Sequence, residues 1–340
     1  MNPNRKWIIA VIYVLLLLMY PIPAASEPCC IIVVPPPPSS PPPSAEETGI
    51  WSSIIPIYPQ LPLFAAIEKK MFETSLKVEV RRKSFDKALF MVHSTQGALG
   101  LTTINVLARY KVETQADIEI AAVTINRPYY GVYTLEDGPA TFKDLKGKVI
   151  NISGKRISEF VYLIKALRSA GINEKDAKFV SIAAAGPQNY IEVVRALKSG
   201  RVQATTGLFG YKAIVPGIKL KQIETPKPIT LSSWIIYANS RTLDKEKKKV
   251  NQFIKGYTKG INVVKEDQQL VRSILEKQFN IINQKVQDKI VNVYIPLFLP
   301  TNIRPDPKEM KVTLDIISSV AKFKEAPVLL DEKRLQELYQ

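Results

Sequence analysis

Val149-Ile150-Asn151-Ile152-Ser153-Gly154-Lys155-Arg156-Ile157-Ser158-Glu159-Phe160-Val161 passes from an apolar run, through a polar turn holding a glycine, into a helical pattern. Val149 to Ser153 reads as a strand. Ser158 to Ala170 reads as a helix, because Phe160, Val161, Ile164 and Leu167 fall on one face and Gly171 supplies a stop. The pattern then repeats. Lys178 to Ile182 alternates as a strand. Tyr190 to Ser199 turns Ile191, Val194 and Leu197 inward as a helix and halts at Gly200, and Val202 to Thr206 is another short strand. This alternation predicts an α/β fold with a largely parallel sheet, since a parallel strand needs a crossover to return.

Upstream the same grammar holds. Ser52 to Tyr58 reads as a buried strand, and Leu63 to Phe72 as a helix with Leu63, Phe64, Ile67 and Met71 inward. Leu76 to Val80 alternates apolar and charged residues, as a half-buried strand does. Phe85 to Val92 reads as a helix, and Gly97 to Thr103 and Ile118 to Thr124 as strands. Phe142 to Lys148 opens a second unit. After the strand Trp234 to Ala238 the character becomes helical, with Leu243, Val250, Phe253, Ile254, Tyr257, Ile261 and Val264 on one stripe.

The first residues differ from this body. Arg5 and Lys6 precede the uncharged apolar run Trp7 to Met19, and Ala24-Ala25-Ser26 has the small residues of a signal-peptidase site. The run is shorter than the about 20 residues a spanning helix needs, although counting on through Ile22 leaves an uncleaved anchor open. Residues 1–26 therefore read as a signal peptide or a membrane anchor. Residues 27–47 read as a proline-rich spacer, because Pro35 to Pro43 favours extended polyproline II and builds no core. A body so held is extracytoplasmic, in the periplasm or at the cell surface.

Composition narrows the function. The 340 residues carry 46% hydrophobic and 23% charged side chains, as a globular protein does. His93 is the one histidine, and Cys29 and Cys30 are the two cysteines, both in the spacer. That disfavours a structural zinc site, a disulfide framework and a Cys–His nucleophile, so no metal and no cofactor is expected. No G-x-S-x-G, H-E-x-x-H or phosphate-binding loop is present, so no catalytic residue is assigned. The net charge is +16, and residues 133–229 carry half of that excess. Nucleic acid would call for a basic stripe on a known reading element, which the sequence lacks, so the charge points to an anionic or polar small molecule.

In parallel α/β sheets ligands bind at the carboxyl ends of strands and at helix N-termini. The candidates are the polar residues at those ends: Tyr58 and Gln60; Thr102 and Thr103; Ser153, Gly154, Lys155, Arg156 and Ser158; Gly186, Gln188 and Asn189; and Thr205. The loop from Ser153 to Ser158 is the sharpest. Its glycine permits close backbone approach, the helix N-terminus favours negative charge, and Lys155 and Arg156 add two cations.

The order of segments resembles the substrate-binding proteins of ABC transporters of the nitrate, sulfonate and taurine type, with relatives among the thiamine-pyrimidine precursor proteins. The resemblance is carried by Pro62-Leu63-Phe64-Ala65-Ala66-Ile67-Glu68-Lys69-Lys70-Met71-Phe72, by Leu76 to Val80, and by Asp144-Leu145-Lys146-Gly147-Lys148-Val149-Ile150. Ser153-Gly154 with Ser158-Glu159-Phe160, Ala196 to Ala204, and the tail Asp331 to Tyr339 complete it. It departs at Lys70, where the resembled family often has Gly, and at Gln203, where it often has Asp. The cysteine-rich segment of the precursor-synthase branch has no counterpart in this body.

The resemblance implies a periplasmic binding protein type II fold, two α/β lobes with a ligand cleft between them. Lobe 1 would span 48–132 plus 230–340, and lobe 2 would span 133–229. It implies a monomeric binding protein rather than an enzyme, closing by a hinge on its ligand and serving an ABC permease and ATPase. The alternative is a membrane-tethered sensor or scaffold with the same fold.

Overall fold

A computed structural model describes residues 49–340 apart from 54–56, 74, 75, 77, 84, 129, 156, 157, 183–188, 209–218, 228 and 230. The N-terminal leader and spacer, with Cys29 and Cys30, lie outside the described residues. The chain begins with β1 (Gly49–Ser53), α1 (Ile57–Glu68), β2 (Glu79–Lys83), α2 (Phe85–Ser94), β3 (Leu99–Thr103), α3 (Ile104–Thr114) and β4 (Ile118–Ile125). It then forms β5 (Tyr130–Leu135), β6 (Val149–Asn151), α4 (Ser158–Ser169), β7 (Lys178–Val180), α5 (Asn189–Lys198), β8 (Ala204–Leu208) and β9 (Leu220–Ile223). β10 (Trp234–Asn239) follows. A helical remainder comes next: α6 (Ser240–Lys245), α7 (Lys247–Glu266), α8 (Gln268–Phe279), α9 (Gln284–Lys289), α10 (Ile295–Phe298), α11 (Pro307–Ala321) and α12 (Glu332–Leu338).

Two five-stranded sheets result, ordered β2-β1-β3-β10-β4 and β7-β6-β8-β5-β9. The chain leaves the first sheet after β4 and returns to it at β10. The expected α/β class holds, but "largely parallel" needs correction. β1 is parallel to β2 and β3, whereas β10 is antiparallel to both β3 and β4. In the second sheet β6 is parallel to β7 and β8, and β5 is antiparallel to β8 and β9. The strand that enters or re-enters each sheet runs against its neighbours, because it comes from the other sheet rather than from a helical crossover. β10 is buried at every position, as a central strand covered on both faces must be.

The first strand ends at Ser53, earlier than the sequence suggests, and helix begins at Ile57. Tyr58 and Gln60 are therefore in the first turn of α1 and not in a loop after a strand. Proline is compatible with a first helical turn, which explains how Pro59 fits there. α1 is apolar nearly all round, with Leu61, Leu63, Phe64, Ala65 and Ala66 buried, because α7 packs along it. The Tyr257 hydroxyl of α7 donates to the Pro59 carbonyl at 2.6 Å.

Helix ends follow their local chemistry. Gly171 and Gly200 take φ of +79° and +70° just beyond α4 and α5, as the sequence predicts for stops. α1 ends in the same left-handed geometry but on Lys70, with φ +53°. The Lys70 N–H bonds to the Ile67 carbonyl and the Met71 N–H to that of Ala66. A side chain in this conformation is strained by about 1 kcal/mol. Lys70→Gly is expected to stabilise the protein by about 0.5–1 kcal/mol, read as a raised urea midpoint at unchanged slope. A lower midpoint would show that the lysine's own contacts outweigh the strain.

The tail Asp331 to Tyr339 forms α12, with the Asp331 carboxylate accepting from the Arg334 N–H at 2.9 Å. Arg334 pairs with Glu119 of β4 and with Asp244 of α6, which fixes the chain's end to the first sheet. Gln203 lies just before β8. Its Oε1 accepts from the Val149 N–H at 2.9 Å and its Nε2 donates to the Gly200 carbonyl at 2.6 Å, so it anchors the start of β6.

Candidate functional site

The parallel strands β1 and β3 of one sheet and β6 of the other each lead to the start of a helix, and β8 lies beside β6. β3 runs directly into α3, so Thr103 is both the last strand residue and the helix N-cap, extended at φ −82° and ψ 146°. Thr103 makes no side-chain cap bond. Thr102 and Thr103 are only 2% and 3% exposed, and neither Oγ1 has a hydrogen-bond partner among the described residues. The first N–H of α3, from Ile104, is already spent on the Ser233 carbonyl at 3.2 Å, just before β10. Ser233 Oγ in turn donates to the Arg127 carbonyl at 2.8 Å, tying the outgoing connection between the sheets to the returning one.

The second sheet carries a denser polar cluster. At the end of β6, Asn151 Nδ2 donates to Thr205 Oγ1 at 3.0 Å, and Asn151 Oδ1 accepts from the Ile182 N–H at 3.0 Å. Thr205 is fully buried, and its hydroxyl donates onward to the Thr206 carbonyl. Its bonds are spent inside the protein, so it orients neighbours.

Glu159, the second residue of α4, lies at the centre. It is 5% exposed. Its Oε1 accepts from the Ser153 N–H at 3.3 Å, from Ser153 Oγ at 3.1 Å and from Thr206 Oγ1, and Ser153 Oγ also reaches Oε2 at 3.1 Å. Burial pushes this carboxyl above the usual glutamate range, and the bonds from Thr206 and Ser153 oppose that shift. Ser158, which precedes it in the chain, is 1% exposed, and its hydroxyl has no partner among the described residues.

The thirteen sequence candidates divide accordingly. Ser153, Ser158 and Thr205 come together around β6, β8 and the start of α4. Thr102 and Thr103 stand at the matching end of the first sheet, and Gln60 is buried in α1. Lys155 is exposed, and a Cβ on Gly154 would meet nothing within 4 Å, so the protein's own packing does not require that glycine. Arg156, Gly186 and Gln188, and the side chains of Tyr58 and Asn189, lie outside the described residues. α3 and α4, at whose N-terminal ends these hydroxyls stand, pack against each other, and α11 lies against both. Arg168 of α4 donates to Ser319 of α11 at 2.7 Å.

Sequence reasoning missed Glu159 and Thr206. Glu159 stood within a quoted motif but carried no role, because a glutamate in a helix's first turn is what any solvated N-terminus favours. A separate cavity of about 410 Å³ lies past the far end of α1, where Met71, Ile254, Lys255 and Asn302 are among its walls, away from these strand ends. Among the described residues no group of three metal-ligating side chains forms, and no helix is long and apolar enough to cross a membrane.

Two mixed sheets joined by two connections, with buried polar side chains at the carboxyl ends of their parallel strands, define the periplasmic binding protein fold. The chain belongs to the NMT1/THI5 like family, whose model matches residues 60–270. The periplasmic aliphatic sulphonate binding protein SsuA from Escherichia coli is similar in structure, with TM-score 0.68 and 16% identity over 86% of this chain and 92% of that one. A Candida albicans gene product, CA3427, described as having the generic periplasmic binding protein fold, aligns with TM-score 0.61 and 16% identity over 86% and 95% of the two chains. The desulfurization enzyme DSZB also aligns, with TM-score 0.62 and 11% identity over 85% and 98%, so this fold also carries catalysis. No curated protein matches the sequence.

Proposed function

We propose that this chain is the extracytoplasmic solute-binding component of an ABC importer, which captures a small polar organic ligand and delivers it to a permease. The single observation that carries the reading is the unspent hydrogen-bonding capacity at the strand ends, in the hydroxyls of Thr102, Thr103 and Ser158. Leaving a buried hydroxyl without a partner costs about 1–3 kcal/mol, so such groups persist where a ligand or water completes them. The two lobes of this reading follow the sheets, one with β1–β4 and β10 and the other with β5–β9, so the first crossing falls before Tyr130 rather than at 133. They close about the connections that leave β4 and enter β10, and the ligand favours the closed form by its greater affinity for it.

Thr103→Val tests this. The Thr103 hydroxyl bonds to nothing among the described residues, so valine is expected to leave the fold intact. A ligand identified by mass spectrometry of natively purified protein is expected to bind the variant at least about tenfold more weakly by calorimetry, the equivalent of one hydrogen bond. Unchanged affinity, or protein that carries no ligand and ignores a metabolite panel, would overturn the reading.

A further inference from the structure

We propose that Glu159 is a built-in anion that fills the anion cradle of the second sheet, so that the ligand presents an ammonium- or amidinium-type nitrogen to this end. The inference rests on the binding reading above and names the ligand class for the same site. Ser153 N–H, Ser153 Oγ and Thr206 Oγ1 converge at the N-terminus of α4, the donor set an incoming carboxylate or sulfonate would need. Glu159 Oε1 takes all three. A ligand anion entering there would meet like charge in a site removed from water, where such repulsion is poorly screened.

The two oxygens are not equivalent. Oε1 is saturated, whereas Oε2 shares only the Ser153 hydroxyl and keeps room for another donor. Ser158, the first residue of α4, is also buried, and its hydroxyl has no partner among the described residues. Lys155, one of the two cations behind the expectation of an anionic ligand, is exposed rather than in the cradle. A buried carboxylate with spare acceptor capacity is suited to a cationic N–H donor, because charge-assisted bonds are the stronger ones.

The probes are butylamine and butanesulfonate, which share a carbon skeleton, titrated calorimetrically into the full chain at pH 7. Wild-type protein is expected to bind the amine at least tenfold more tightly, a comparison that needs no variant. Glu159→Gln keeps the shape and an acceptor oxygen, and should weaken the amine at least tenfold. Glu159→Ala vacates the cradle, and acetate should then raise its melting temperature while leaving wild type unmoved. Butanesulfonate binding that is equal to or tighter than the amine's, lost in Thr103→Val and indifferent to Glu159→Gln, would overturn the inference while sparing the binding reading. Failure of the amine on every form would overturn the inference, while the binding reading falls only if the natively purified protein also carries no ligand and ignores a metabolite panel.

Discussion

Gly260→Ala is expected to destabilise the protein by about 3 kcal/mol, although the same change in an exposed helix would stabilise by about 1 kcal/mol. Gly260 lies in α7 against α1, and a Cβ built there falls 2.1 Å from the carbonyl oxygen of Pro62 and 3.0 Å from the Ala66 side chain. Backbone cannot swing aside as a flexible side chain can, so the two helices must part. Parting them strains the Tyr257 bond to Pro59 and the neighbouring contact at Gly256, where a Cβ would sit 2.4 Å from the Phe72 ring. Thermal unfolding should show a drop of roughly 5 °C or more. A raised melting temperature would mean that helix propensity governs this position and that α1 and α7 do not approach so closely.

Thr206→Val is expected to cost more at pH 8 than at pH 5. The hydroxyl of Thr206 donates to Glu159 Oε1, and valine removes it without changing the volume much. Glu159 titrates above its ordinary value because it is buried, so its contribution to stability is fully present below the unfolded glutamate pKa of about 4.3 and is lost as pH rises through the folded value. Deleting a donor to the ionised form raises the folded value further. The variant should therefore lose about 1 kcal/mol at pH 5, the worth of an ordinary hydrogen bond, and about 2–3 kcal/mol at pH 8, where a buried charge is left short of a partner. Urea unfolding at the two pH values measures the gap. An equal loss at both would show that the carboxyl is not the partner that matters.

Much of the second sheet was legible because its signals are local. The apolar run of β6, the stripe of α4 and the stops at Gly171 and Gly200 each sit within one turn or strand of the residues that decide them. α3 escaped notice because no turn separates it from β3, and Thr103 serves both elements. β5 and β9 were missed as well. Tyr130 to Leu135 is buried on nearly all positions, which erases the alternation that marks a half-buried strand. The antiparallel placement of β10 beside β3 and β4 depends on pairing across the intervening sheet, which no window of sequence reports. The strand-end hydroxyls were found from a rule about where ligands sit. The role of Glu159 was not, because its burial depends on Thr206, 47 residues along the chain.

The position of β10 also bears on the order in which the molecule can assemble. β3 and β4 are near neighbours in sequence, yet the strand that fills the gap between them follows only after the whole second sheet has been passed. The second sheet uses one continuous run of chain, from β5 to β9, and can form as soon as that run exists. The middle of the first sheet is built last, at the entropic expense of closing a long loop, which slows folding. Until Trp234–Asn239 docks, the facing edges of β3 and β4 stand open and apolar, and each can recruit a strand from another molecule. The connection that gives the protein its two-part architecture thus also sets the interval in which it is most exposed to misassembly.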